Sequence, residues 1–324
     1  MGRPLIAVDW GTSSLRVYRL DAAGHIVAQR GCSIGLLACQ GRFEAVLAEQ
    51  IAGWDDLDLI VMAGMVGSRN GWQEVPYAPC PAGADEIAAG MAQVAASALP
   101  GRRVHIAPGL ADAGSNTRAP EVMRGEETQL LGLLDALDAS DPGPHTVCLP
   151  GTHSKWATVQ GGRIRGFRTA MTGEVYAVLR QHSILGAQMN AGQAAGADAL
   201  PGAGQETGTA AETCSAAFEL GLSTSRGDGG LLNHLFSVRA RHLFGQLPGP
   251  AESADYLSGL LIGQELQGLL PADAATRTVH LIGNSALMAR YQHALRHFGV
   301  ASQRHAEGLV TRGLFALAQR CTTS

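Results

Sequence analysis

Two short turns in this chain carry residue types suited to gripping a polyphosphate. The first, Gly11-Thr12-Ser13-Ser14, follows an apolar run that ends in Asp9 and Trp10. Small side chains let backbone N–H groups approach phosphate oxygens, the hydroxyls add donors, and a strand-end carboxylate such as Asp9 can hold a hydrated magnesium ion. The same residues would also serve an ordinary β-hairpin turn in which Asp9 satisfies its own backbone. The second turn, Gly151-Thr152-His153-Ser154, lies 140 residues further on, again after an apolar run and again before a hairpin turned at glycine. Next comes Lys155, the one lysine among 24 basic residues. A chain that otherwise uses arginine and keeps lysine here points to a need for a compact ammonium. Duplication of a tight polar turn is what two phosphate-gripping hairpins facing one cleft require.

The elements that would position these turns are legible in the hydrophobic pattern. Residues 5–10 form a β-prone apolar run, 15–20 a second with less clean alternation, and Gly24 separates it from a third at 25–29, which together predict an antiparallel meander. A helix over 43–54 and a buried strand over 57–63 ending in glycine follow. After the polar, glycine- and proline-containing segment 112–120 the pattern returns. A helix over 126–138 places Leu130, Leu131, Leu134 and Leu137 on one face, with Glu126 and Glu127 in its first turn, where the helix dipole favours them. A strand over 146–149 leads into a hairpin over 151–169 turned at Gly161 and Gly162. Residues 192–208, rich in Ala and Gly, read as a mobile loop or a locally variable insertion. A strand over 278–282, a helix over 285–298 and a closing helix over 306–320 complete the chain. Strands and helices alternate, so the class is α/β.

At 324 residues the chain exceeds the size at which one core usually keeps growing, so two packed lobes are expected, with the cleft between them as the default site. Hydrophobic residues at 46% and charged residues at 16% describe an ordinary globular protein outside the disordered regime. The formal charge of -4 supplies no chain-wide basic field for nucleic acid or an anionic membrane, so a small anion would need a local positive pocket. Six cysteines without a CxxC pair or zinc spacing read as reduced thiols in the cytosol. The apolar stretch Leu5-Ile6-Ala7-Val8 stops at Asp9, too short for a signal peptide or a membrane span, and the expectation is a cytoplasmic protein.

The motif Asp9-Trp10-Gly11-Thr12-Ser13-Ser14-Leu15-Arg16 resembles the phosphate-1 signature of the actin/hexokinase/heat-shock-70 superfamily. Residues Met62 to Trp72 (MAGMVGSRNGW), Met123 to Gln129 (MRGEETQ), Pro150 to Trp156 (PGTHSKW) and Arg168 to Glu174 (RTAMTGE) look like the bacterial 2-dehydro-3-deoxygalactonokinase family. With Leu257 to Gly263 (LSGLLIG) and Gly283-Asn284-Ser285, the resemblance runs through nearly the whole chain in order. It implies a two-lobed actin-like ATPase, ribonuclease H-like, with a mixed sheet in each lobe and an interlobe cleft. The expected division is an N-terminal lobe over 1–124 with the phosphate-1 hairpin and acceptor pocket. A C-terminal lobe over 125–304 would hold the phosphate-2 hairpin and adenosine turn, and 305–324 would pack back towards the N-terminal lobe. The implied activity is transfer of phosphate from ATP, with Mg2+, to the C6 hydroxyl of 2-dehydro-3-deoxygalactonate.

Roles for residues follow from the same resemblance. Gly151, Thr152 and Lys155 would grip the outer phosphates, where an ammonium offsets charge developing on the transferred group. Many superfamily members carry an acidic residue where this chain has Leu149-Pro150, which leaves Asp9 as the principal carboxylate for magnesium. The acceptor hydroxyl needs a base in line with the γ-phosphate; Glu126 is the first candidate and Glu127 the second, against a plain role for both as dipole partners. Arg69, Arg124 and Arg168 lie inside family-like motifs and could bind the acceptor carboxylate bidentately, or be surface charges. Ser68, Asn70 and Trp72 could complete the acceptor pocket, His153 could donate to phosphate or face solvent, and Gly283 with Asn284 would form the adenosine turn or simply cap a helix. The partners are then a small sugar acid and ATP, with no nucleic acid and no membrane, and a homodimer is left open.

The pattern disfavours two other classes. A dinucleotide-dependent dehydrogenase would need GxGxxG opening the first helix after the first strand, and none is present. A sugar-sensing repressor on the same lobes would need a DNA-binding helical extension or basic patch before the first strand, and a non-catalytic nucleotide-driven binder would need a peptide-binding domain after the last helix. A kinase for a related 2-keto-3-deoxy acid or hexose derivative remains the closest alternative, because sequence does not encode the C4 configuration legibly.

Overall fold

The run Leu5–Trp10 (β1) is apolar at almost every position because it is a central strand with both faces covered. Strand alternation turns Ile6, Val8 and Trp10 towards Phe43, Val46 and Leu47 of the helix Phe43–Gln50, and leaves Leu5, Ala7 and Asp9 on the other face. The helix Leu309–Ala318 contacts β1. A computed structural model describes residues 2–134, 136–137, 143–189 and 214–321. The loop expected over 192–208 lies outside the described residues.

β2 (Leu15–Leu20) pairs antiparallel with β1, and β3 (Ile26–Cys32) antiparallel with β2, which is the predicted meander. β4 (Leu59–Gly64), buried at every position, runs parallel to β1. Two short strands, β5 (Ala78–Pro79) and β6 (Ala92–Val94), precede β7 (Arg103–Ile106), which pairs parallel with β4. The first sheet thus has the order β3-β2-β1-β4-β7-β6. β8 (Leu110–Asp112) and β9 (Glu121–Met123) join β5 in a small three-stranded sheet.

The arrangement then repeats. β10 (His145–Leu149), β11 (Ser154–Gln160), β12 (Arg163–Ala170), β13 (Thr278–Leu281) and β14 (Ala301–Arg304) form a sheet of order β12-β11-β10-β13-β14, with β10, β13 and β14 mutually parallel. Only hairpins fit the short connections between β10 and β11 and across Gly161-Gly162. Two meanders each extended by parallel strands are the mixed sheets of the ribonuclease H-like, actin-like fold.

The chain divides into two compact units, one of residues 1–144, 158–167 and 306–324 and the other of 145–157 and 168–305. The helix Glu126–Leu134 therefore lies in the first unit, whereas the sequence reading opens the second lobe at residue 125. Two glycines fix it there. A Cβ on Gly132 would lie 1.9 Å from the Leu309 carbonyl, and one on Gly313 would lie 1.9 Å from that of Thr128. The helices Glu126–Leu134 and Leu309–Ala318 touch backbone to backbone, which holds the start of the former in a set position. All six cysteines are free thiols, and among the described residues no helix is long and apolar enough to cross a membrane.

Candidate active site

In the first unit, the turn after β1 is closed by a hydrogen bond from the Gly11 N–H to the Ser14 carbonyl (2.9 Å). It is braced from outside: the Trp10 indole Nε1 donates to the Ile34 carbonyl (3.0 Å), and the Leu36 N–H to the Gly11 carbonyl (3.0 Å). Thr12 and Ser13 are exposed on this rigid loop, with Gly11 and Ser14 half-buried beneath them. Asp9 is half-buried at the strand end and makes no hydrogen bond through its carboxylate among the described residues. Burial raises its pKa above the ordinary carboxylate value, and Arg16, its cross-strand neighbour, pulls it back.

The end of β4 brings the candidate bases to the same place. Gly64 sits at φ 98°, where a Cβ would lie 2.6 Å from the Trp10 carbonyl, and the Cβ position of Gly125 falls 3.4 Å from Gly64 Cα. Glu126 and Glu127 therefore begin their helix beside the carboxyl ends of β1 and β4. The Arg124 N–H donates to Glu126 Oε2 (3.1 Å), and the Gly125 N–H to Glu127 Oε2 (2.6 Å). The two carboxylates differ in access: Glu126 is half-buried, whereas Glu127 is fully enclosed and its Oε1 meets no hydrogen-bond partner among the described residues. A proton acceptor must reach substrate, so this contrast favours Glu126 over its neighbour.

Burial, helped by the adjacent Glu126, pushes the Glu127 carboxyl up to about 8 from its ordinary 4.5. Between those values the unfolded chain has lost the proton while the folded chain keeps it, so stability is greatest at the acid end and falls as pH rises through the window. Glu127→Gln is neutral throughout. Urea titrations at intervals between about pH 5 and 8 are expected to show a flatter stability profile for this variant than for the parent. Parallel profiles would show that Glu127 is not a buried acid.

The segment after β4 holds most of the expected acceptor residues. The Arg124 guanidinium packs on Gly67, donates from Nη2 to the Val75 carbonyl (2.7 Å) and lies 4.4 Å from the Tyr77 ring centroid. Its Nε and Nη1 are enclosed with no hydrogen-bond partner among the described residues. Arg69, 86% exposed, lies 3.8 Å from Glu74. Ser68 donates its hydroxyl to the Met65 carbonyl (2.7 Å), Asn70 is exposed, and Trp72 stacks on Phe43 with 6.2 Å between centroids. Ser68 and Trp72 thus each have a structural task as well.

In the second unit, the turn 150–153 leads into Lys155, only 6% exposed, whose ammonium donates to Thr169 Oγ1 on the neighbouring strand (3.0 Å). The helix Thr172–His182 abuts the turn: the Glu174 N–H donates to the Thr152 carbonyl (3.0 Å), and the His153 Nε2 contacts the Glu174 carboxylate. His153 is therefore engaged at the turn, although half of it faces solvent. Because β10 and β13 are parallel with Cys148 opposite Leu281, Gly283 comes next to Pro150; a Cβ there would lie 3.4 Å from the Pro150 carbonyl, and φ is 148°. Asn284 caps the helix Ser285–His297, accepting from the Ala286 N–H (3.0 Å) and the Leu287 N–H (3.3 Å). The phosphate and adenosine turns expected from sequence thus share one end of one sheet, the carboxyl ends of its parallel strands, where α/β sheets bind ligands. Arg168 is exposed on β12.

The sequence reading missed Glu265. It is buried in the helix Pro250–Leu269, and its carboxylate accepts from the Trp156 indole (2.7 Å), the Tyr291 hydroxyl (2.7 Å) and the Thr172 hydroxyl. The available signal was a lone carboxylate in an otherwise apolar helical stretch, LLIGQEL.

Comparison with known proteins gives the family. The family model for 2-keto-3-deoxy-galactonokinase matches residues 9–317. The chain belongs to that family. It is 39% identical over 324 residues to a Rhizobium meliloti (strain 1021) protein described as a 2-dehydro-3-deoxygalactonokinase, covering 97% of this chain and 96% of that one. The Escherichia coli (strain K12) 2-dehydro-3-deoxygalactonokinase is 36% identical over 296 residues, covering 91% and 90%. The crystal structure of a Sinorhizobium meliloti protein described by the same activity superposes with a TM-score of 0.82 at 34% identity, over 98% of each chain. Family members are kinases, so the turns and carboxylates described above belong to a phosphotransferase scaffold. The resemblance read from the motifs and the family match therefore coincide.

Proposed function

We propose that this chain transfers the γ-phosphoryl group of ATP to the C6 hydroxyl of 2-dehydro-3-deoxy-D-galactonate. The products are ADP and 2-dehydro-3-deoxy-6-phospho-D-galactonate, formed in the cytoplasm during galactonate degradation. The observation that carries this reading is the match along nearly the whole chain to relatives described by that activity. The local geometry supports it through the convergence of Asp9, the Gly11–Ser14 turn and Glu126 at one end of the first sheet.

The residues present fit the groups the reaction needs. Asp9 offers a carboxylate without a hydrogen bond among the described residues, beside hydroxyl-bearing residues, an oxygen-only set suited to magnesium. Magnesium, when bound there with the nucleotide, supplies positive charge that favours the ionised Asp9 and offsets the phosphate charge. Gly11 to Ser14 and Gly151 to Thr152 offer backbone N–H groups to phosphate, Lys155 stabilises charge on the transferred group, and Gly283 with Asn284 leaves room for adenosine. Glu126 takes the proton of the attacking hydroxyl. Arg69, Arg124 and Arg168 are the candidates to meet the acceptor carboxylate, with Ser68, Asn70 and Trp72 near the first; Arg124 has N–H groups that are enclosed but unsatisfied among the described residues, and Arg69 and Arg168 are exposed.

A coupled ADP-release assay on the galactonate- and gluconate-derived 2-keto-3-deoxy acids tests the acceptor. The expected result is a higher kcat/KM for the galactonate-derived acid, by about 10-fold or more, the difference that one well-placed hydroxyl contact can produce. Preference for the gluconate epimer, or no turnover of either, would overturn the acceptor assignment.

A further inference from the structure

Among the described residues, the hydrogen bonds to the Glu265 carboxylate come from elements that also shape the second phosphate turn. Trp156 Nε1 donates to Oε1 from β11 (2.7 Å). The Thr172 hydroxyl donates to Oε2 from the first turn of the helix whose Glu174 N–H holds the Thr152 carbonyl. The Tyr291 hydroxyl donates to Oε2 (2.7 Å) from the helix that begins directly after Gly283 and Asn284. Tyr291 in turn meets the Ser154 hydroxyl at 2.9 Å. Ser154, Trp156 and Tyr291 are all buried, and Glu265 itself is 6% exposed.

The pattern along β11 gives this network its direction. Alternate residues of a strand point to opposite faces, so Ser154 and Trp156 bind inwards to the network on either side of Lys155, which is turned the other way to Thr169. Sliding or rotating β11 would break the bonds on both sides of the lysine together. A buried carboxylate with three donors is costly to disturb, because each donor left without an acceptor would lose a full hydrogen bond.

We infer that Glu265 is a positioning residue for phosphoryl transfer: its buried carboxylate fixes β11, the start of the helix Thr172–His182 and the helix Ser285–His297 against one another, and so holds the Gly151–Lys155 turn in register for the outer phosphates of ATP. The inference rests on the nucleotide part of the proposed function. It does not depend on which sugar acid is phosphorylated.

Two variants test it. Glu265→Leu removes the acceptor and keeps an apolar side chain of similar reach, and Trp156→Phe removes a single donor while keeping a ring in the core. Calorimetric titration with AMP and with a non-hydrolysable ATP analogue, alongside steady-state kinetics, gives the readout. For Glu265→Leu we expect analogue affinity to fall about 10-fold and AMP affinity to fall less, by about threefold or under, since the Trp156 and Thr172 bonds brace the phosphate turn while the Tyr291 bond alone reaches the helix after the adenosine turn. The value of kcat is expected to fall by about 10²-fold, the effect of a misplacement near 1 Å, while acceptor KM stays within about twofold. Trp156→Phe is expected to shift the same quantities in the same direction by less, and Glu265→Gln, whose amide can satisfy the indole by one orientation while donating to the two hydroxyls, to recover most of the loss. Equal losses of AMP and analogue affinity would show a general structural role and overturn the inference. So would an unchanged ratio in either variant; if Glu265→Leu does not fold, the ratio in Trp156→Phe decides alone. A parent protein that binds the analogue yet phosphorylates no sugar acid would sink the acceptor assignment and leave this test intact.

Discussion

Glu126→Gln is expected to lower kcat by about 10²–10⁴-fold, the usual range for removing a general base, with KM for ATP changed by less than about threefold. The amide keeps the size of the side chain and can still accept the Arg124 N–H that Glu126 Oε2 accepts at 3.1 Å, so the local fold is preserved. What disappears is the capacity to take a proton from the hydroxyl. The parallel change Glu127→Gln serves as the internal comparison. Glu127 is enclosed and its raised pKa keeps it protonated at neutral pH, so it has no negative charge to lose, and kcat is expected to stay within about threefold. Steady-state kinetics on both variants, with circular dichroism to show that both are folded, decides the matter. Near-normal turnover in Glu126→Gln would remove Glu126 as the proton acceptor, and a large loss in Glu127→Gln alone would transfer the role.

What the sequence made legible, and what it did not, follows from the range of the interactions involved. The meander β1-β2-β3, the strand β4 and the second meander β10-β11-β12 were readable because local periodicity and glycine turns specify hairpins over few residues. The parallel pairing of β10 with β13 joins residues more than a hundred positions apart, and nothing in either segment alone announces it. The place of the helix Glu126–Leu134 was missed for a related reason. Its amphipathic pattern predicts a helix, while its unit is set by two glycines, Gly132 and Gly313, that meet backbones distant in sequence.

The candidate site divides in the same way. Asp9, the Gly11–Ser14 turn and Lys155 stand out by residue type and spacing. Whether Glu126 or Glu127 is accessible depends on a rotation of one residue at a helix start, which sequence cannot fix to that precision. Trp72 illustrates the opposite limit: its composition suits sugar stacking, but the ring lies on Phe43, which in turn packs against Trp10, so part of its surface belongs to the core. Glu265 was invisible as a functional candidate because its partners come from β11 and from the helices Thr172–His182 and Ser285–His297, and only the folded chain assembles them.

Lys155→Met is expected to reduce kcat by about 10²–10³-fold, the scale measured when one preorganised charge-stabilising donor is removed. Methionine fills most of the lysine volume, so the 6% exposed site stays packed while the ammonium, with its bond to Thr169 Oγ1, is lost. Stability should move the other way or not at all: a buried cation carries a desolvation cost, and replacing it with an apolar chain of similar length is often neutral or favourable. Nucleotide affinity adds a third discriminant. If the ammonium acts on the transferred group, binding of an ATP analogue should weaken more than binding of ADP, by about 10-fold or one charge-assisted hydrogen bond. Kinetics, thermal unfolding and two calorimetric titrations on one variant therefore separate catalysis from packing. A variant with parental turnover would exclude Lys155 from phosphate stabilisation. A variant that loses turnover together with several degrees of melting temperature would instead make this lysine a core cation whose task is to hold β11 against β12.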